Sequence, residues 1–139
     1  MVLYVEYGAD ACLFGALGAR QAVWSSAALV PGDMRPLAKA LVKFGLARRR
    51  PEAVVAGLAD RLAGAAHVPW STVRAAVAAV NTLGLAWDVP VAAIKLAGTE
   101  SRDDKVSLVR QAAAQARKGD WISALYSGEP NISKAKKVI

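Results

Sequence analysis

The sequence predicts an α/β protein, a mixed sheet with helices packed on it. Three observations carry this. Residues 2–28 read as three short β-type runs divided by the turn signals Gly8-Ala9-Asp10 and Gly18-Ala19-Arg20, the pattern of an antiparallel meander. Beyond them helical and strand periods alternate, the order of α-β-α-β crossovers. The stretch AHVPWSTVRAAVAAVNTLGLAWDVPVAAI, 66–94, joins a loop, a long apolar helix, a two-residue turn and a buried strand in one unit.

The elements follow in order. Val2 to Tyr7 alternates and is rich in strand formers. Cys12 to Leu17 and Gln21 to Ala28 are the second and third strands. Pro31-Gly32 breaks the chain, and Asp33 can cap a helix whose face is Leu37, Leu41 and Phe44. Pro36 is tolerated in its first turn, and Gly45 is its stop. Arg48-Arg49-Arg50-Pro51 is an exposed basic connection. Ala53 to Leu58 reads as a strand, with a helix from Pro51 to Leu62 as the competing reading, because Ala and Leu fit both. Asp60 to Ala66 is a loop or a short helical insertion.

In the central helix Ser71 is the predicted N-cap. Val73, Val77, Val80, Gly84 and Trp87 follow a helical seam that Ala76, Leu83 and Leu85 widen. No charge follows Arg74 until Asp88 ends the run, so this helix is expected to be covered on two sides. Val89, Val91 and Ile94 form a short strand. Ser101 and Asp104 have capping-box spacing, opening a helix to about Arg117 with Val106, Val109, Ala113 and Ala116 as its stripe. Trp121 to Tyr126 reads as a last strand. A basic tail at about 128–139 carries Lys134, Lys136 and Lys137. There is no internal repeat and no linker, which predicts a single domain over 1–139.

Composition narrows the function. A chain of 139 residues with 55% apolar side chains argues against disorder. No apolar run approaches the roughly 20 residues of a membrane span, and Met1 to Asp10 has no basic leader, so the expected location is the cytoplasm. Cys12 is the single cysteine and is expected in the core, which leaves no internal disulfide and no thiolate metal cluster. The net charge of +7 suits an anionic partner such as RNA or an acidic protein face, and equally serves solubility.

The order of elements resembles the first half of the actin, sugar-kinase and heat-shock ATPase superfamily, and so implies a ribonuclease-H-like, actin-like ATPase domain. The segment VRAAVAAVNTLGLAWDVPVAAI sharpens this. It is similar to LRIGVATAKGLALALGIPLVGV of TsaB, the scaffold subunit of bacterial threonylcarbamoyladenosine synthesis on tRNA. Val73, Arg74, Val77, Ala78, Leu83, Leu85, Ala86, Val89, Pro90 and Val91 fall in step without a gap. MVLYVEYGADACLFGAL resembles the family's opening strand–turn–strand, LVKFGL its first helix ending, and YSGEPNIS a closing motif of its short members.

The departures are as informative. The family's GPGSFTG loop is replaced at Ala66 to Thr72 by AHVPWST. Glycines there let backbone amides approach a phosphate. His67, Val68, Pro69, Trp70, Ser71 and Thr72 instead make a degenerate phosphate loop, in which Pro69 has no amide and Trp70 could plug the vacated site. Glu6 stands where the superfamily's first strand usually delivers an Asp, and the second lobe is largely missing.

The resemblance therefore implies a non-catalytic, TsaB-like scaffold with no cofactor and no metal. It would pair through its first and central helices with a TsaD-like protein or a second copy of itself. The interface residues implied are Leu37, Leu41, Phe44, Val73, Val77, Val80, Leu83, Gly84 and Trp87. A small nucleotide-binding or hydrolytic enzyme of the superfamily is the first alternative. His67 near Ser71 and Asp60 has the residue types of a triad, but no G-x-S-x-G loop accompanies it. The second alternative is a basic RNA-binding module, with Arg48, Arg49, Arg50, Lys134, Lys136 and Lys137 on the phosphates. Any tRNA contact of the scaffold is expected to be indirect or weak.

Overall fold

Gly8 and Gly18 close the turns of the meander. Their amides donate to the carbonyls of Ala11 and Gln21 at 2.8 and 2.9 Å. The computed structural model describes residues 1–30 and 32–116. In it these turns join β1 (Val2–Tyr7), β2 (Ala11–Leu17) and β3 (Ala22–Ala28). There follow α1 (Arg35–Lys43), β4 (Ala53–Ala59), α2 (Trp70–Trp87), β5 (Val91–Leu96) and α3 (Arg102–Ala116). The strands form one sheet in the order β3-β2-β1-β4-β5. The first three pair antiparallel, β1 pairs parallel with β4, and β4 pairs parallel with β5. This is the mixed α/β sheet with the meander-and-crossover order of a ribonuclease-H-like fold. The predicted last strand and the basic tail lie outside the described residues.

The sheet is buried on both faces. Leu3, Val5, Val54, Ala56, Val91 and Ala93 face α1 and α2, where Leu37, Ala40, Val73, Ala76 and Val80 cover them. Val2, Tyr4, Val55, Ala92 and Ile94 face α3 and meet Val109, Ala112, Ala113 and Ala116. β4 therefore reads as a nearly continuous apolar run, because a parallel strand covered on both faces has no wet side. That settles its assignment against the helical alternative.

The helix ends correct two expectations. α2 begins at Trp70 with Pro69 as its N-cap, and no side chain caps it. The Pro69 carbonyl already accepts the Val73 amide at 3.2 Å, so the chain turns in before Ser71, which lies exposed in the first turn. Asp33 is likewise displaced: Met34 is the N-cap of α1, while Asp33 Oδ1 accepts the Arg35 amide at 3.0 Å. Other ends match the prediction. Gly45 adopts φ +72° after α1, as a left-handed stop requires. Ser101 and Asp104 form the reciprocal box: the Ser101 amide donates to Asp104 Oδ2 and the Asp104 amide to Ser101 Oγ.

Small residues set the spacing between layers. A Cβ at Gly57 of β4 would collide with the Tyr4 hydroxyl, and one at Gly84 of α2 with Val91 Cγ1. Cys12 is buried, and its thiol donates to the Ala27 carbonyl at 3.4 Å. Burial pushes that thiol's pKa up.

Candidate functional site

The parallel strands β1, β4 and β5 end together, and a cleft of about 210 Å³ opens at their carboxyl ends. This is where open α/β sheets hold ligands. Glu6, Tyr7, Ala59, Leu96, Glu100 and Lys105 line it, with Ala65, His67 and Val68 from the loop before α2.

Its charges are already committed to one another. The Tyr4 hydroxyl donates to Glu6 Oε1 at 2.5 Å. Lys105 Nζ, in the first turn of α3, meets the same oxygen at 2.9 Å. Both members of this ion pair are largely enclosed, at 14% and 19% side-chain exposure. Tyr4 is fully buried, and burial first, then the Glu6 carboxylate, raises its pKa far above the usual phenol range. Glu100 is held by its own loop: Oε1 accepts the Ala97 amide at 2.6 Å and Oε2 that of Gly98 at 3.0 Å. Burial raises the Glu100 pKa, but these amides and the Lys105 ammonium outweigh it, and the net direction is down. The altered loop divides in two. His67 and Val68 reach the cleft, whereas Trp70 does not line it. Trp70 lies 57% exposed beneath Arg61, whose guanidinium sits 5.2 Å above the ring centroid. Trp70 therefore does not plug the cleft.

No triad forms. Asp60 Oδ1 accepts the Leu62 and Ala63 amides, and among the described residues neither it nor Ser71 is hydrogen-bonded to His67. No cluster of three or more His, Cys, Asp or Glu able to hold a metal occurs among the described residues.

The predicted pairing residues also divide. Leu37, Val73, Val80 and Gly84 are buried against the sheet, so their side chains are not open to a partner. That corrects their place in the predicted interface: the helical seam they follow is the one that α1 and α2 turn to their own sheet. Leu41, Phe44, Val77, Leu83 and Trp87 are half-buried at its borders. Leu85, expected to widen the seam, instead stands 85% exposed on the outward side, one residue past the buried Gly84, and Val42 at 72% and Met34 at 54% are exposed as well. Arg74 is the single charged residue of α2.

Of the predicted RNA contacts, Arg48 and Arg49 are exposed, while Arg50 donates to the Trp87 carbonyl at 3.1 Å, a cation at the C-terminus of α2. Lys134, Lys136 and Lys137 lie outside the described residues. Trp24 packs edge-on against Tyr4 with centroids 6.1 Å apart, and Arg102 sits 5.6 Å from its ring. Among the described residues no helix is long and apolar enough to cross a membrane.

No family model and no curated protein matches this chain. Solved structures do. YeaZ from Pseudomonas aeruginosa superposes with a TM-score of 0.54 at 19% identity, over 68% of this chain and 43% of that one. A second Pseudomonas aeruginosa structure, described as an uncharacterized protein with similarity to peptidase YEAZ, gives 0.52 at 21% identity, over 68% and 42%. The chain thus spans less than half the length of these structures. YeaZ is a TsaB protein, so the fold that the residues of α2 and β5 pointed to is the fold these neighbours share.

Proposed function

We propose that this chain is a non-catalytic scaffold of the TsaB type. It pairs through the outward sides of α1 and α2 with a TsaD-like protein, or with a second copy, in threonylcarbamoyladenosine modification of tRNA. The observation that carries this reading is the outer face of α2. Arg74 is its only charge, and Leu85 stands 85% exposed on it. Ala75, Ala78, Thr82 and Ala86, all exposed, keep that face smooth enough for a second helix to approach closely. Leu85 and Val42 then supply apolar area, at about 25 cal/mol per Å² before the costs of association.

Co-purification with the TsaD homologue of the same genome tests the reading. Leu85→Asp should abolish the complex and leave the fold intact, because the side chain is already in water. A complex that survives Leu85→Asp together with Val42→Asp, or none at micromolar concentration in the wild type, rejects it.

The enzyme reading rests on the cleft. Lys105 is a cation already seated on Glu6, and Pro69 brings no amide to the loop. Calorimetry with ATP and Mg²⁺ is accordingly expected to show no heat of binding.

A further inference from the structure

Trp70 is a large aromatic side chain held in water. Its exposure is 57%, yet it is not loose. Arg61 lies over it at 5.2 Å and also donates to the Val68 carbonyl, which ties the guanidinium to the loop leading into α2. Arg74 follows one turn later and is exposed. From Arg61 to Trp87 the chain has no Asp or Glu at all. Neither Arg61 nor Arg74 forms an ion pair among the described residues. The nearest carboxylate in sequence, Asp60, is occupied by backbone amides. The uncapped N-terminus of α2 adds partial positive charge to the same region.

A fixed, half-open aromatic face, beside guanidinium groups that meet no carboxylate among the described residues, matches the chemistry of a nucleic acid. A base has a π-face for the ring, and its backbone has anions for the cations. We propose that Trp70, braced by Arg61, is a stacking platform for an unpaired base of single-stranded nucleic acid, with Arg61 and Arg74 neutralising the adjoining phosphates. This surface is separate from the basic connection at Arg48 to Arg50 and from the Lys134 to Lys137 tail. It does not rest on the scaffold reading.

Fluorescence anisotropy of the full chain with a labelled, unstructured oligoribonucleotide of about ten nucleotides tests it. Wild type should bind, and more weakly at about 200 than at about 50 mM salt. Trp70→Ala should weaken binding between about fivefold and about a hundredfold, with an unchanged circular dichroism spectrum. Trp70→Phe, which keeps a stacking face, should weaken it less. Arg74→Glu should lower affinity and reduce the slope of log K against log salt by about one. Three results would overturn the proposal: no binding by wild type, equal binding by wild type and Trp70→Ala, or loss of binding only when Lys134, Lys136 and Lys137 become Ala.

Discussion

Two glycines and one carboxylate carry consequences at the scale of single residues. An exposed mid-helix glycine changed to alanine ordinarily gains about 1 kcal/mol. Gly84 should do the opposite, because its new methyl meets Val91 across the α2–β5 contact. Gly84→Ala is expected to destabilise by about 1–3 kcal/mol, read as a shift of the urea midpoint. Gly57→Ala should cost a similar amount by pushing on the Tyr4 hydroxyl. The carboxylate is Glu100, whose pKa is lowered in the folded state. A lowered pKa contributes stability that is fully present above the unfolded value, about 4.3, and is lost as pH falls through the folded value. Glu100→Gln should therefore be less stable than wild type at neutral pH. The two should converge in acid below the usual carboxylate range, as thermal unfolding across pH will read.

At the scale of elements, α2 has two unlike sides. Val80 is wholly buried against the sheet and Leu85 is in water. Val80→Asp should unfold the protein, since it places a charge in the core, while Leu85→Asp, in the last turn of α2, should cost only about 1 kcal/mol and remove association. Circular dichroism and sedimentation on the same samples separate the two effects. α3 depends on its first turn. Lys105→Met removes one of the two donors to Glu6 Oε1 and should cost about 1–3 kcal/mol in denaturant.

The elements were largely legible in the sequence. The meander was written in its turns, and β4 and β5 in their β-branched and alanine runs. What periodicity did not reveal is which neighbour receives an apolar stripe. Val73, Val80 and Gly84 repeat with a helical period whether a sheet or a second protein covers them, so their burial against β1, β4 and β5 required the fold. Ser71 failed as a cap because Pro69 has the dihedrals of an N-cap and starts the helix earlier. The cleft was half visible: Glu6 and His67 stood out, but Glu100 and Lys105 come from β5's exit loop and α3, and nothing in their local spacing ties them to β1.

At the scale of the molecule, two kinds of contact are proposed, and they respond oppositely to salt. Pairing through Leu85 and Val42 is apolar and should change little between low and moderate ionic strength. Binding of nucleic acid at Trp70 should fall steeply. Sedimentation of the protein alone and anisotropy with the oligonucleotide, run over one salt series, should diverge. Parallel trends would mean that a single charged surface carries both.

The parallel seam between β1 and β4 also bears on how fast the chain folds. The meander closes over short turns, and β5 reaches β4 through the longer crossover that α2 occupies. Val2, however, must find Ala53. That pairing bridges some fifty residues and carries the largest loop-closure entropy of the sheet. Closing this seam is then expected to weigh most on the folding rate. Trimming Val55 to Ala on this seam should retard refolding in stopped-flow. Trimming Ser26 to Ala on the outer strand should leave the refolding rate alone.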